Sequence, residues 1–586
     1  MTLPSCLCLH TTFSKDFSMW KYLKGYRLAA AAAPVMKLLE ALLELCVPIF
    51  VARVIDDGIK SGSRADVIKY CALIALFGLV GMLFAVTSQM LSARTAVGFS
   101  TALRSDALKH ILALSNEEST GIGRSAMITR LGADIDRVQS GINMGLRLLL
   151  RSPFIVFGSV IMAGTIDRQM LVLFLVTVAV LAVIVFAVIA AGIPLQKKTG
   201  SRLDALTAHT DDNLRGVRVI RAFGREEGQK EIFANRNAAH SRASVIAGTV
   251  SSFMNPMTFA VINVAVIIII SRGSGMVETG RLTQGQVVAL YNYMAQILTE
   301  LVKLANLTFT LSRAVASGQR VSALLKTEPE RTGGDSPAPC GEPVIELRNV
   351  SYRYPGAGAD SISGVSFALR EGESLGIIGG TGSGKSTLAL VCAAINDPSS
   401  GEIYYYGKPS SELSPAETRK IISLVPQKAT LFSGTVRDNM LRGSENAGED
   451  EILSALDAAE ALGFVEAKDG GLDAEVSRAG SNFSGGQRQR LTIARALIRR
   501  PRLLILDDSF SALDYKTDLA VREKIASLSF PHATVIVSQR PSTVMNCDRI
   551  LVLEDGRAAG LGSHKELLAS CPLYREIYNS QYGGEE

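Results

Sequence analysis

Charge is scarce in this 586-residue chain. Asp, Glu, Lys and Arg make up 20% of it, against 47% hydrophobic residues. That balance excludes an ordinary soluble protein, and the apolar excess sits in the first half, the pattern of a membrane domain followed by a soluble one. The length is too great for one domain and suits two large ones. The eight cysteines, at 6, 8, 46, 71, 340, 392, 547 and 571, form no CxxC pair, and no His cluster lies near them. Neither a zinc site nor a disulfide framework is indicated, and reduced thiols in a cytoplasm-facing protein fit best. Cys6 and Cys8, the only close pair, read as part of a tail. The formal net charge of +6 is modest and calls for no nucleic-acid partner. No internal repeat stands out. Met1 to Ser18 has neither a positively charged start nor a sustained apolar core, so no cleavable signal is evident. Met19-Trp20-Lys21-Tyr22-Leu23 reads as a more natural start, lying along the inner membrane surface, and residues 1–18 are expected to be dispensable.

What is present in the first half is a series of long apolar runs. A spanning helix needs about 20 mostly apolar residues. Residues 169–196 and 243–271 carry no formal charge, and Tyr70 to Ser92 is a third clear span. Residues 152–166 complete a fourth if the helix starts earlier, with Arg147 and Arg151 on it. Residues 282–299 form a polar candidate carrying Gln284, Gln286, Asn292 and Gln296. The first candidate, 28–53, is interrupted by Lys37, Glu40 and Glu44, which share nearly one helical face. Six spans are expected, with a multi-pass chain in the cell membrane and both termini inside. Basic residues crowd 197–242, which places that segment in the cytoplasm. It and residues 98–140 read as helical from apolar positions such as Leu103, Ala107, Ile111 and Leu114. Such helices would carry the spans far into the cytoplasm. The outer loops, around 57–65, 167–168 and 272–281, are short.

Residues 327–342 are rich in Pro and Gly and form a linker between a transmembrane domain, 19–326, and a soluble domain, 343–586. In the soluble part, the strand Ser374 to Ile378 leads into Gly379-Gly380-Thr381-Gly382-Ser383-Gly384-Lys385-Ser386, and a helix from Ser386 to Ala394 follows. This is a phosphate-binding loop. Its glycines let backbone N–H groups converge on phosphate oxygens, the helix N-terminus adds a favourable dipole, Lys385 supplies a point charge and the Ser386 hydroxyl suits Mg2+.

The order Tyr354, the phosphate loop, Gln427, Phe483-Ser484-Gly485-Gly486-Gln487, the strand Leu503–Leu506 with Asp507-Asp508, and Ser511-Ala512-Leu513-Asp514 resembles the ATP-binding-cassette (ABC) transporters. With the membrane part first, the chain is similar to an exporter-type half-transporter: an α-helical six-span transmembrane domain followed by an α/β P-loop NTPase domain. The resemblance implies that ATP and Mg2+ are the cofactors, held by residues 379–386 and Thr387. It also implies that Tyr354 stacks on adenine, that Gln427 links Mg2+ to the membrane domain and that Asp507 holds Mg2+ through water. Ser484, Gly485, Gly486 and Gln487 would bind the γ-phosphate of ATP held by a second subunit.

Two catalytic positions depart from that family. Asp508 stands where a glutamate follows the first aspartate, and Gln539, in Ser538-Gln539-Arg540, stands where a histidine precedes the arginine. Aspartate withdraws the carboxylate by about 1.3 Å on standard bond lengths, and glutamine cannot carry the positive charge of a histidine. A third departure is Val476-Ser477-Arg478-Ala479-Gly480, where the family shows Val-Gly-Glu-Arg-Gly. The resemblance then implies a heterodimer whose partner half-transporter has the glutamate and histidine in place and uses Ser484–Gln487 from this chain. A homodimer with two weak sites is the alternative. Substrates would be lipophilic compounds, drugs or lipids, and cavity candidates are Glu40, Glu44, Arg147, Arg151, Asn255, Asn263, Tyr291, Asn292 and Gln296. Glu40 and Glu44 either bind cationic amphiphiles or pair with Lys37 or a partner arginine as structural ties. Uptake of a metal chelate, or an ATP-gated regulatory subunit or channel, are the competing readings.

Overall fold

The structure is a computed structural model, in which residues 18–331, 333–338 and 341–582 are described. The expectation for residues 1–18 therefore lies outside the described residues but for Ser18, as do Cys6, Cys8 and three linker residues, Thr332, Pro339 and Cys340. The five described cysteines are all free. The chain folds as two compact units: the residues up to Ile111 with Ser125–Lys326, and Leu112–Arg124 with the residues from Thr327 on.

Among the described residues the first unit holds helices and no strand. Its long helices are α1 (Arg27–Arg53) and α2 (Arg64–Leu112), and then, beyond a short helix α3 (Asn116–Ile122) that belongs to the second unit, α4 (Ile135–Leu148), α5 (Arg151–Ile166), α6 (Arg168–Arg215), α7 (Glu226–Ser252), α8 (Met254–Glu278) and α9 (Gln284–Lys326). Helices satisfy their backbone polar groups internally, which hydrocarbon demands. Four stretches are long and apolar enough to cross a membrane by length and composition: Arg64–Leu112, Arg124–Ile166, Arg168–Arg215 and Glu226–Glu278. Six were expected. The helices α1 and α9 occupy the other two expected places but fall short in composition, because Lys37, Glu40 and Glu44 interrupt one and Gln284, Gln286, Asn292 and Gln296 dilute the apolar character of the other. Both nonetheless join the apolar core, through Ala41 and Leu45 and through Leu290, Tyr293 and Met294, packed on Ile155, Phe174 and Leu181. Small residues permit the close approaches. A Cβ on Gly285 would lie 2.2 Å from the Ala52 carbonyl oxygen, and one on Gly141 would lie 2.3 Å from the Ala314 methyl. Leu76, Leu79, Met82, Leu83 and Val86 stay exposed along α2, as lipid-facing residues do.

One local expectation is corrected and two are refined. Residues 272–278 are the last two turns of α8 rather than loop. Gly280, at φ +69°, closes that helix in the left-handed conformation, and Arg281 N–H donates to Met276 O. Segment 98–140 is helical as expected, in successive pieces: Ser115 caps a new helix, α3, at the Glu118 N–H, and Gly123 at φ +81° ends it. Segment 197–243 is helical as well, interrupted at Gly216 and again before Glu226, with Gly224 at φ +58°.

The second unit is α/β. Its strands are β1 (Ile345–Tyr352), β2 (Ile362–Leu369), β3 (Ser374–Gly379), β4 (Ser400–Tyr405), β5 (Lys408–Pro409), β6 (Ile422–Val425), β7 (Gly434–Thr435), β8 (Glu475–Val476), β9 (Leu503–Asp507), β10 (Ala533–Val537), β11 (Arg549–Glu554) and β12 (Arg557–Gly562). A six-stranded sheet runs β12-β11-β3-β10-β9-β6, with every pairing parallel except β11 with β12. The strands β9 and β10 are buried along their whole length, as parallel strands covered on both faces must be. A second, antiparallel sheet runs β2-β1-β4-β5. Residues from the first half of the chain join this unit: Tyr352 OH donates to Glu117 at 2.7 Å, and Asn116 Nδ2 to Asn396 Oδ1 at 3.0 Å.

Candidate functional site

Parallel register brings the motifs together. Val537 of β10 stands opposite Ile377 of β3 and Asp507 of β9, and Val425 of β6 opposite Leu506. The segments leaving the carboxyl ends of these four strands, Gly379–Ser386, Ser538-Gln539, Asp507-Asp508 and Gln427, therefore share one edge of the sheet. That is where ligands bind in open α/β folds.

The phosphate loop is shaped for an anion. Gly382 and Gly384 sit at φ +83° and +93°, and a Cβ on Gly384 would lie 2.4 Å from Ser361 O, while one on Gly379 would lie 2.2 Å from Leu553 O. Only glycine fits those two places. The helix α10 (Lys385–Cys392) begins at once, a residue earlier than expected and ending two earlier. Lys385 is buried and donates to the carbonyl oxygens of Gly379 and Gly380 at 2.9 and 2.6 Å, with Ser383 Oγ at 3.3 Å. Burial lowers its pKa, partly offset by Asp508 and Asp507. A half-desolvated ammonium whose hydrogen-bond partners are all neutral is matched by a polyphosphate, so the loop fits the nucleotide the motif implies.

Ser386 Oγ donates to Asp507 Oδ1 at 3.0 Å, and burial raises the pKa of that carboxylate, with the Ser386 bond opposing the shift. This hydroxyl–carboxylate pair is the oxygen donor set a hard divalent cation takes. Gln427 Nε2 donates to Asp508 Oδ2 at 3.1 Å, so the two residues nearest the expected attacking position hold each other. Asp508 is strained, at φ +47°, with its N–H on Val537 O at 3.0 Å and its carbonyl accepting from Ser511 Oγ at 2.8 Å. Gln539 is exposed; its carbonyl accepts from Gln581 Nε2 at 3.2 Å, and its side chain makes no hydrogen bond among the described residues. Tyr354 is 39% exposed, packs edge-on against Tyr352 with centroids 4.9 Å apart, and its hydroxyl is 3.3 Å from Thr387 Oγ1.

Ser484, Gly485, Gly486 and Gln487 stand apart from this group: no hydrogen bond joins them to the phosphate loop among the described residues. They start helix α11 (Gly485–Leu497), where Ser484 Oγ accepts from Gln487 N–H and Gln487 Oε1 accepts from Ser484 N–H. Phe483, buried against Phe464, anchors the motif, while Ser484 and Gly485 are exposed. The departure before it is also exposed at Arg478, and Ala479 occupies the left-handed region at φ +58°.

In the first unit, Arg151 lies at the centre of a charge cluster. It donates to Glu44 and to Glu300, both at 2.5 Å, and has Glu40 at 3.9 Å; Glu40 pairs with Lys37 at 2.5 Å and Glu300 with Lys303 at 2.8 Å. Ser152 Oγ adds a bond to Glu300 at 2.7 Å. Sequence reasoning missed Glu300, which falls one residue past the expected span; its signal was Lys303 three residues on. Glu44, Asn292 and Gln296 line one cleft with Glu300. Among the described residues Arg147 has a buried Nε without a partner, whereas Asn255, Asn263 and Tyr291 are exposed and join no cluster.

Comparison with known proteins agrees with this geometry. A model of the ABC transporter transmembrane region matches residues 31–301, and an ABC transporter model matches residues 362–511. Two relatives described as uncharacterized ABC transporter ATP-binding proteins, from Mycobacterium tuberculosis and Bacillus subtilis, are each 34% identical; the alignments cover 96% of this chain and 97% and 98% of theirs. An ATP-dependent lipid A-core flippase of Bordetella pertussis is 29% identical over 97% of this chain and 91% of its own. The fold matches a solved bacterial Atm1-family ABC exporter with ATP bound, at TM-score 0.83 and 22% identity over 96% of this chain and 99% of that one. The chain thus belongs to the ABC transporter family, as an ATPase-coupled, multi-pass membrane protein with the fold of an exporter and its nucleotide-binding domain in the cytoplasm.

Proposed function

We propose that this chain is one half of a heterodimeric, ATP-driven exporter of lipophilic compounds or lipids, and that its own nucleotide site holds ATP with Mg2+ but turns it over slowly. Lys385 and the backbone of Gly379–Ser386 bind the phosphates, Tyr354 the base, and Ser386, Asp507 and Gln427 the metal. The observation that carries the reading is the pair Asp508 and Gln539. A shortened carboxylate is held by Gln427 at 3.1 Å in a strained backbone, beside a neutral amide where a cation is needed. General-base effects are worth roughly 10²–10⁴-fold, and a misplacement of about 1 Å costs roughly 10²-fold, so binding survives and hydrolysis falls. The exposed, pre-capped Ser484–Gln487 supports the complementary role: it presents backbone N–H groups at a helix N-terminus to ATP held by the partner subunit. The partner then supplies the hydrolysis that drives transport. The test is ATP turnover by the purified chain and by its complex with the partner. The complex is expected to be faster by two orders of magnitude or more on the estimates above, and equal rates would overturn the heterodimer.

A further inference from the structure

Three carboxylates meet Arg151, and they are not equivalent. Glu40 is consumed by Lys37, in a pair whose side chains are 12% and 16% exposed. Glu300 is 2% exposed and takes Arg151, Ser152 and Lys303. Glu44 receives only Arg151, on Oε2, and its side chain is 39% exposed. Its second oxygen accepts nothing among the described residues.

Glu44 opens onto a cleft of about 410 Å3 between α1 and α9. The α9 side carries acceptors. One Gln296 Nε2 N–H goes to the Glu44 carbonyl at 3.4 Å, and its Oε1 is buried with no partner among the described residues. The Thr299 hydroxyl proton is spent on Ala295 O at 3.2 Å, leaving oxygen lone pairs. The two charged groups in the wall are Glu44 and Glu300, both negative, while the cations paired with the cluster, Arg151, Lys37 and Lys303, lie outside it. Val47, Pro48 and Val51 form the apolar remainder.

We propose that this cleft takes the protonated primary or secondary amine head of an amphiphile, its N–H groups donating to Glu44 Oε1 and Gln296 Oε1 and its carbon chain lying on Val47 and Val51. Resting on the export reading above, such amines are then the substrate class. A quaternary ammonium keeps the charge but has no N–H to give to two unpaired acceptors, so it binds less well.

The experiment is calorimetric titration of the full chain in lipid nanodiscs with octylamine, octyltrimethylammonium and octanol, without nucleotide. Octylamine is expected to bind at least about tenfold tighter than octyltrimethylammonium, and Glu44→Gln to weaken octylamine by about tenfold while leaving octanol unchanged, since a hydrogen bond to a charged group is worth roughly 1.5–3 kcal/mol. Glu44→Gln leaves Arg151 its bonds to Glu300, and Gln296→Leu, expected to weaken octylamine severalfold, serves if the first variant does not fold. Equal octylamine affinity in wild type and variant, or a quaternary ligand binding as well as the amine, overturns the proposal. Because no ATP is used, amine binding without ATP-driven flux would refute the export reading alone, and flux of lipophilic compounds without amine selectivity would refute this proposal alone.

Discussion

Replacing Arg151 by methionine is expected to destabilise the membrane unit severely. The cluster balances Lys37, Arg151 and Lys303 against Glu40, Glu44 and Glu300, and Arg151, with 7% of its side chain exposed, contacts all three carboxylates. Without it, Glu300 stays buried with Ser152 and with Lys303, whose side chain is 41% exposed and partly hydrated. Removing one partner of a buried ion pair costs roughly 3–5 kcal/mol, because the remaining charge stays uncompensated. At the low end of roughly 2–4 °C per kcal/mol, suited to a unit of this size, the midpoint should fall by about 6–10 °C. Far-UV circular dichroism of the detergent-solubilised chain measures it. Adding Glu300→Gln removes the stranded charge, so the double variant should recover part of the loss, a coupling of roughly 0.5–3 kcal/mol. A midpoint for Arg151→Met within about 1 °C of wild type, or strictly additive single and double variants, would refute the argument that this arginine neutralises a buried carboxylate.

Other consequences are separable. Gly384→Ala places a methyl group against Ser361 O at a left-handed residue, so binding of a fluorescent ATP analogue should be lost while the far-UV spectrum is kept. Burial raises the folded-state pKa of Asp507, so its ionised form costs stability above that pKa and costs nothing below the ordinary carboxylate range. Asp507→Asn should therefore raise the midpoint of the nucleotide-free protein at neutral pH, lose that advantage as the solution is acidified, and weaken Mg2+-dependent ATP binding. Ser484→Ala removes an N-cap worth roughly 0.5–2 kcal/mol and should cut hydrolysis by the complex while leaving ATP retained on this chain's own Walker residues. Hydrolysis unchanged in that variant would remove the motif from the partner's site.

The nucleotide half was legible because its signals are local. Apolar runs such as Leu503–Leu506 read as buried strands, and a glycine loop between a strand and a helix has one common use. Parallel register then carries Asp507, Gln539 and Gln427 to the same edge without any further choice. The direct bond between Gln427 and Asp508, and the hold of Gln581 on the Gln539 backbone, depend on side-chain geometry between distant segments, which spacing does not encode. The membrane half was legible as apolar length, but less so as a site. Glu40 and Glu44 were visible as a shared face, whereas Glu300, from a helix over 250 residues later in the sequence, completes the cluster. Asn255 and Tyr291 were polar residues in apolar runs, and that alone did not bring them to a cavity. Glycines 123, 224 and 280 set where the helices stop, through left-handed turns that an apolar period does not reveal.

The central claim is that Asp508 and Gln539 make this chain's own site a slow one, and the most direct measurement is steady-state ATP hydrolysis by the purified chain beside its Asp508→Glu, Gln539→His double variant. The account predicts that both bind ATP comparably and that the double variant hydrolyses it roughly 10² to 10⁴ times faster. Wild-type chain hydrolysing ATP as fast as the double variant would contradict it.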